Sequence, residues 1–254
     1  MALIGAQMYT LRNICTTKKA FIDACKRLKK MGYDGVQLSG VVDLPGKETR
    51  KILAGEGLVC VCTHPASDPL LHDPQTIIKK HQEMDCHFAA LGCYYPDEKN
   101  WKQKTWRKFI ADYNKLAKVY LEGGVRLGYH NHAHEFAPCE GVRPYDMMLA
   151  DFDPSIWLEI DTYWAQFGGV DPAEYIRRAA GRIPIIHCKD MTITRDWNHK
   201  MCEVGDGNLN WPAIFEAARY AGVRWFVVER DNGDMEPFAS LERSIKNMRD
   251  KFGL

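Results

Sequence analysis

Short apolar runs alternate along this chain with longer amphipathic stretches. Residues 19–40 show the pattern first, with a helix predicted to end near Gly32 and a strand predicted to begin near Gly35. A glycine just past a helix adopts the left-handed conformation that closes the final turn. The strand-like runs are apolar at successive positions, which is typical of strands that are covered on both faces.

Eight such runs predict strands, at residues 3–9, 34–39, 58–63, 91–95, 125–130, 156–161, 183–188 and 224–229. Helical segments separate nearly all of them, and a last helix is predicted at about 238–252. Alternation of this kind over 254 residues predicts an α/β fold, a (β/α)8 TIM barrel forming a single domain over 1–254. A doubly wound open sheet is the main alternative, but no G-x-G-x-x-G motif follows the first strand.

Composition narrows the class of protein. The chain has 34 Lys and Arg against 33 Asp and Glu, so no overall field favours nucleic acid or an anionic membrane as a partner. The apolar runs are too short to span a bilayer, and the start lacks the features of a signal peptide. Nine cysteines form an odd, irregularly spaced set, which favours reduced thiols and a cytoplasmic protein.

Candidate chemistry lies in polar residues near the ends of the predicted strands, because barrel enzymes place their sites at that face. These residues are Gln7, Tyr9, His64, His130, His132, Asp161, His187, Lys189 and Glu229. We expect Asp161, His187 and Glu229, which end three successive strands, to converge, with His130 completing an arc. Carboxylates mixed with imidazoles suit Mn²⁺, Zn²⁺, Co²⁺ or Fe²⁺.

The three residues expected to converge also have structural interpretations. Asp161 could cap a following turn, His187 could be a satisfied core histidine, and Glu229 could pair with Arg230. Three such residues at successive strand ends favour the metal site over three separate structural roles.

The stretch GYHNHAHEF at 128–136 carries three histidines at alternating positions. In a strand, His130, His132 and His134 would share one face. Such a cluster suits a metal or another polar reaction site.

The chain resembles the xylose isomerase-like TIM-barrel superfamily, in its sugar phosphate isomerase/epimerase branch. The resemblance runs over nearly the whole chain and rests on GAQMYTLR, GYDGVQL, GYHNHAHEF, LEIDTYWAQFGGVDPAEYI, GRIPIIHCKDM, EVGDGNLNWPAIF and WFVVERD. In that superfamily Glu, Asp, His and Glu from the ends of strands 5 to 8 typically hold a divalent metal. By position, Asp161, His187 and Glu229 match the last three.

Strand 5 departs from the family pattern, since His130-Asn131-His132 stands where many members read Glu-Asn-His. The resemblance then implies that His130 replaces a carboxylate ligand. Glu135 becomes the substitute for a missing catalytic base, or the strand-5 ligand in place of His130. We expect His132 to face substrate or support the ligands, and His134 to lie on the loop surface without a role.

A second departure replaces the common Asp-Thr-Gly-His by Asp161-Thr162-Tyr163-Trp164. The indole of Trp164 could be a platform for a sugar face, or it could be a packed core side chain. Gln7 and Tyr9 are further candidates for substrate binding because of their place near the end of strand 1.

The resemblance implies a sugar isomerase or epimerase with a divalent metal cofactor, Mn²⁺ before Zn²⁺, Co²⁺ or Fe²⁺. The metal would act as a Lewis acid on a carbonyl and an adjacent hydroxyl, and a carboxylate would take the α-proton. Glu229 and Glu135 are the candidates for that base. Lys189 could neutralise an oxyanion or be a surface lysine paired with Asp190, and His64 is a further acid or base.

Three other functions can be compared with the isomerase or epimerase. The same enediolate could expel a β-substituent, which would make the protein a lyase of a keto-inositol or a 3-keto-glycoside. A non-catalytic sugar-binding barrel is also compatible with the sequence. Assembly into a homo-oligomer is compatible with any of these functions. An endonuclease IV function is disfavoured, because that enzyme must bind DNA and the chain lacks a basic surplus.

Overall fold

The computed structural model describes residues 2–254, and within them eight parallel strands close a barrel. The structure has two further strands besides these eight. In chain order the ten strands are β1 Leu3–Gln7, β2 Gly35–Leu38, β3 Val59–Thr63, β4 Phe88–Leu91, β5 Arg126–His130, β6 Trp157–Asp161, β7 Ile185–Cys188, β8 Asp190–Ile193, β9 His199–Cys202 and β10 Trp225–Val228. β8 and β9 form a separate antiparallel hairpin, and the others pair in the order β1-β10-β7-β6-β5-β4-β3-β2. The predicted single-domain (β/α)8 barrel is confirmed.

Helices surround this barrel on its outer face. They are α1 Lys18–Met31, α2 Gly46–Gly55, α3 Ser67–His72, α4 Pro74–Met84, α5 Gln103–Glu122, α6 Pro144–Asp151, α7 Thr162–Phe167, α8 Pro172–Arg178, α9 Trp211–Ala221 and α10 Pro237–Phe252. Within residues 2–254, none of them combines the length and apolar character that crossing a membrane requires.

Helix α1 shows how the local sequence sets these bounds. The side chain of Thr17 accepts a hydrogen bond from the backbone N–H of Ala20, which caps the start of the helix. Phe21, with its neighbours three, four and seven residues on, forms the buried stripe that packs on the strands. The helix ends at Met31, and the next residue, Gly32, has a φ of 98°, the left-handed conformation expected there.

The fourth predicted strand, at 91–95, is wrong, because the observed β4 begins three residues earlier and ends four residues earlier. The observed strand pairs with β5 from Phe88 opposite Arg126 to Leu91 opposite Tyr129. The apolar run after it does not extend the sheet, because Tyr94 turns away and stacks on Phe109 of α5 at 4.0 Å. The aromatic residues after the end of β4 have the same apolar character as a strand, which is why the sequence pattern extends past it.

The first predicted strand, at 3–9, is also too long. β1 ends at Gln7, whose side-chain oxygen accepts from the N–H of Tyr9 and caps a short 3₁₀ turn. Tyr9 therefore lies in the turn that follows the strand.

Inward-facing residues divide the barrel into an apolar plug and a polar upper level. Trp157, Ile185 and Val227 belong to one buried apolar cluster inside the amino half. Gly128 leaves room for this plug, because a Cβ there would lie 2.2 Å from the Trp157 ring. Since side chains alternate along a strand, Glu159 also points inward, one level nearer the carboxyl end.

His81 of α4 predicts a pH dependence of stability that is separate from the barrel mouth. Its Nδ1 donates to the carbonyl of Ile77 at 2.8 Å, so its Nε2 accepts from the Thr63 hydroxyl at 2.9 Å. Burial lowers the pKa of His81 to about 4. In the unfolded chain, where the pKa is about 6.5, the ring takes up a proton that the folded state resists.

The contribution of His81 is therefore fully present above pH 6.5 and is lost as the pH falls towards 4. Between pH 7.5 and 5.0, we expect the free energy of unfolding of the wild type to fall by about 2 kcal/mol more than that of His81→Gln. Urea denaturation at both pH values measures this difference. The exposed His72→Gln variant should behave as the wild type, and equal pH dependence in His81→Gln and wild type would contradict the assignment.

Candidate metal centre

Four metal-ligating side chains meet at the carboxyl end of the barrel. They are His130 at the end of β5, Asp161 at the end of β6, His187 on β7 and Glu229 just after β10. All four are buried, and one ligand atom from each lies within 4.8 Å of the others. The convergence expected from the sequence is present in the structure.

The spacing of these atoms fits a divalent ion. His187 Nδ1 lies 3.0 Å from Glu229 Oε2 and 3.8 Å from Asp161 Oδ2, which in turn lies 3.5 Å from His130 Nε2. Donor atoms about 2.1 Å from a tetrahedral ion lie about 3.4 Å apart. Within residues 2–254, His130 Nε2 is buried without a hydrogen-bond partner, and Asp161 Oδ2 has only the ion pair with Lys189 Nζ at 3.2 Å. Two imidazoles and two carboxylates therefore form a plausible coordination set for a divalent ion.

Outer hydrogen bonds turn both imidazoles towards this position. His130 Nδ1 donates to the carbonyl of Gly92 at 3.1 Å, which leaves the Nε2 lone pair facing the cluster. His187 Nε2 lies 3.0 Å from Gln37 Oε1 and 3.1 Å from Glu159 Oε1, which leaves Nδ1 facing the cluster. Acceptors of this kind fix the tautomer and ring orientation of metal-binding histidines.

Asp161 combines both of the roles that its sequence suggested. Its Oδ1 accepts from the N–H of Trp164 at 2.9 Å and caps the short helix α7. Its Oδ2 is the atom that faces the cluster. The Asn131 side chain accepts from the Asp161 N–H at 3.0 Å, so it joins the ends of β5 and β6.

Glu159 is a central residue that the sequence analysis missed. Its carboxylate is fully buried, 2.5 Å from His64 Nε2 and 3.1 Å from Gln37 Nε2 as well as beside His187. Burial would raise the pKa of Glu159, but His187 and His64 outweigh burial and hold the pKa well below its usual range. The signal was present, because Glu159 has the same strand parity as Asp161, two residues on.

Lys189 lies inside the site and not on the surface. Its Nζ is 2.9 Å from Glu229 Oε2, 3.2 Å from Asp161 Oδ2 and 2.8 Å from Asp231 Oδ2. Burial would lower the pKa of Lys189, but these carboxylates raise the pKa above its usual value. The alternative of a surface lysine paired with Asp190 is wrong.

Asp190 instead ties down the loop that follows the hairpin. Its Oδ2 accepts from the N–H groups of Gly205 and Gly207 at 2.8 and 3.1 Å. The same oxygen accepts from Trp211 Nε1 at 2.6 Å. These hydrogen bonds hold the loop at residues 205–207 in place.

The charge state of Glu229 follows from its neighbours. Burial would raise the pKa of Glu229, but Lys189 and His187 hold the pKa well below its usual range. The side chain is thus an anion, suited to bind a cation or to accept a proton.

Glu135 lies outside the cluster. Its carboxylate is fully buried and accepts from the Tyr129 hydroxyl and the His132 N–H, both at 2.8 Å. Tyr129 faces the outer helices, so Glu135 sits behind β5. This position makes Glu135 a support for the loop that carries His132.

The histidine run is only partly a strand, because β5 ends at His130. His132 nevertheless lies beside the site, since its ring centre is 5.0 Å from that of His130. His134 is not on the loop surface as expected, since its side chain is 16% exposed and its Nε2 bonds the Tyr94 carbonyl at 2.9 Å.

The remaining candidates for substrate binding lie at different depths. The centre of the Trp164 ring lies 5.2 Å from that of the His132 ring and 5.4 Å from Lys189 Nζ. Gln7 is buried, with its backbone paired to Gln37 of β2. Tyr9 is 36% exposed at the rim. Trp164 and His132 are therefore the ones that adjoin the cluster.

The fold and the cluster together define a (β/α)8 barrel with a buried His, Asp, His and Glu set at its carboxyl end. The model of the xylose isomerase-like TIM barrel family matches residues 25–251, and the chain belongs to that family.

Two relatives are inosose dehydratases from Geobacillus. That of G. kaustophilus is 33% identical over 100 residues, which are 38% of this chain and 32% of the relative. That of G. thermodenitrificans is 26% identical over 170 residues, which are 60% of this chain and 56% of the relative. The matched regions thus span a third to about half of these enzymes.

Solved structures of similar fold include enzymes and a zinc-containing protein. A sugar phosphate isomerase/epimerase from Parabacteroides distasonis has a TM-score of 0.82 at 21% identity, over 98% of both chains. The IOLI protein, whose structure holds a zinc atom, has a TM-score of 0.77 at 13% identity, over 98% of this chain and 97% of that one. At these identities the likeness shows the fold.

Proposed function

We propose that this protein is a metal-dependent lyase that removes an α-proton from a keto-sugar or keto-inositol and expels the β-substituent. The observation that carries the proposal is the buried cluster of His130, Asp161, His187 and Glu229 with Lys189 beside it. These four side chains would hold a divalent ion, which would polarise the substrate carbonyl and stabilise the charge of the enediolate.

Glu229 is the base in this proposal. Lys189, at 2.9 Å, and His187, at 3.0 Å, keep its carboxylate ionised. They also weaken it as a base, so the metal would have to acidify the α-proton by polarising the carbonyl. As the α C–H bond breaks, its electron pair passes into the carbonyl and forms the enediolate. The pair then returns to form the new C=C bond while the bond to the β-substituent breaks.

His64 is the acid that protonates the departing oxygen. Its Nε2 is engaged by Glu159 at 2.5 Å and by Gln37 at 2.8 Å. Within residues 2–254 its Nδ1 makes no hydrogen bond, so this is the ring atom that can serve a substrate. Burial lowers the pKa of His64, and the Glu159 carboxylate offsets only part of this effect. A proton on the ring is therefore readily released to the departing oxygen.

Elimination takes precedence over isomerisation for two reasons. First, the sequence relatives named above are dehydratases. Second, elimination needs a base for the α-proton and a separate acid for the departing oxygen, and Glu229 and His64 are two such groups of different chemistry. An isomerase or epimerase is the second candidate, since it shares the first step and differs only in returning the proton to carbon. The overall likeness to the isomerase/epimerase structure supports this candidate.

The metal we propose is Mn²⁺, with Zn²⁺ as the second choice. Two carboxylates beside two imidazoles suit a borderline ion that accepts oxygen as well as nitrogen. The zinc in the IOLI protein supports the alternative.

The test uses the wild-type protein loaded with Mn²⁺ and incubated with 2-keto-myo-inositol or 3-keto-glucosides in D₂O. We expect loss of the α-proton signal in the ¹H NMR spectrum together with formation of the unsaturated or dehydrated product. Protein treated with a chelator is the control. Exchange of the α-proton without elimination would favour the isomerase or epimerase, and neither reaction on any keto-sugar would leave a sugar-binding barrel.

A further inference from the structure

A cavity of about 490 Å³ opens beside the candidate metal centre, where β2 and β3 end. Its walls come from the loops after these strands and from α1, α2, α3 and α4. This volume lies within the range of small-molecule sites, about 300–1,000 Å³. Among its lining residues, only His64 has a role in the proposed reaction and His81 has one in stability, and neither role fills the cavity.

The walls of the cavity are mainly apolar. Leu38, Val41, Val42, Leu44 and Pro65 line it and are only half-buried, so each exposes carbon to the cavity. An apolar ligand that covers this surface removes it from water, which favours binding.

The buried polar groups of the wall are already paired within the protein. The Thr49 hydroxyl donates to the Pro45 carbonyl at 3.1 Å. The Thr63 hydroxyl bonds His81, whose other ring nitrogen donates to the Ile77 carbonyl. The charged lining residues Asp43 and Lys80 pair with each other at the cavity edge. A hydroxyl-rich ligand would therefore find few free partners here for the hydrogen bonds it gives up to water. The cavity therefore suits an apolar group and not a second sugar.

His64 connects the cavity to the metal centre. It lines the cavity, yet its ring lies 5.1 Å from that of His130 and 5.5 Å from that of His187. In the barrel order, β2 and β3 lie across the mouth from β6 and β7. A substrate that reaches from the cluster past His64 enters the cavity.

We propose that this cavity binds an aromatic or other apolar group that the substrate carries as its β-substituent. The substrate class is then a keto-glycoside with an apolar aglycone. The assignment of this group as the leaving group rests on the proposed function. The affinity of the cavity for an apolar group rests on its walls alone.

Binding of two unreactive probes tests the cavity without catalysis. Phenyl β-D-glucoside and methyl β-D-glucoside are titrated into the Mn²⁺-loaded protein by isothermal calorimetry. We expect the phenyl glucoside to bind at least tenfold more tightly. Val42→Trp, which fills the cavity, should remove this preference and leave binding of the methyl glucoside unchanged.

Two further variants keep the test decisive. Ala66→Trp fills the cavity from an exposed wall position and should act like Val42→Trp even if the latter folds poorly. Leu121→Trp, at a position 49% exposed on α5, is the matched control and should keep the preference. Equal binding of both glucosides to the wild type, or a preference that survives both filling variants, would overturn the proposal.

The outcomes also separate this inference from the proposed function. A phenyl preference that the filling variants abolish, in a protein that transforms no keto-sugar, supports the cavity and rejects the lyase. Elimination from a methyl 3-keto-glucoside by a wild type without phenyl preference supports the lyase and rejects the cavity.

Discussion

Asp161→Asn is expected to lower the affinity for a divalent ion by more than about 100-fold, since even outer partners of ligands are worth 10–100-fold. The variant removes the charge of the Oδ2 that faces the cluster. An asparagine oxygen still accepts from the Trp164 N–H, which Asp161 holds at 2.9 Å, so the cap of α7 is kept. Loss of the metal is thereby separated from loss of the fold.

The measurement is metal content by mass spectrometry after dialysis against limiting Mn²⁺. Wild type should hold close to one ion per chain, and Asp161→Asn and His130→Ala should hold little. The exposed His72→Ala variant controls for loss of an arbitrary histidine. Thermal unfolding gives a second readout, because an ion that binds only the folded state raises the melting temperature of the wild type.

His130→Ala also decides which residue strand 5 supplies. Retention of metal in His130→Ala, with loss in Glu135→Gln, would return the role to Glu135. The geometry argues for the opposite result, because both oxygens of Glu135 are bonded behind β5. Full metal content in all these variants would contradict the site itself.

The barrel and three of the candidate ligands could be predicted, because both follow from patterns of neighbouring residues along the chain. Apolar runs spaced by helices identified the strands, and strand ends identified Asp161, His187 and Glu229. The fourth strand was displaced because periodicity cannot distinguish an apolar strand from the aromatic residues that follow it. Tyr94 packs on a helix that only the tertiary structure brings close.

The surroundings of the ligands could not be predicted in the same way. Glu159, Gln37 and His64 come from three strands, and their contacts exist only because the barrel is closed. The burial of Lys189 likewise depends on three carboxylates from two other strand ends. A pattern along the chain gives the direction of a side chain, but it does not give its partners across the barrel.

Among the residues around the ligands, Glu159 is the carboxylate at the centre of this hydrogen-bond network. Its carboxylate accepts from His64 and Gln37 and lies 3.1 Å from His187 Nε2. Glu159→Gln keeps the shape but turns one acceptor into a donor, which then faces another donor. We expect the metal affinity to fall by about 10–100-fold, because the His187 ring loses one of the two acceptors that orient it.

The same substitution should also lower the free energy of unfolding by about 2 kcal/mol, the range for a hydrogen bond to a charged group. Stability alone cannot assign a role, so Asp34→Ala is the matched control. Asp34 accepts from the Ile4 N–H at 3.0 Å at the amino end of the barrel, far from the ligands. Titration of Mn²⁺ into both variants compares them at similar loss of stability. If Glu159→Gln binds Mn²⁺ as tightly as Asp34→Ala, Glu159 is a structural residue, and the orientation of His187 must come from Gln37 alone.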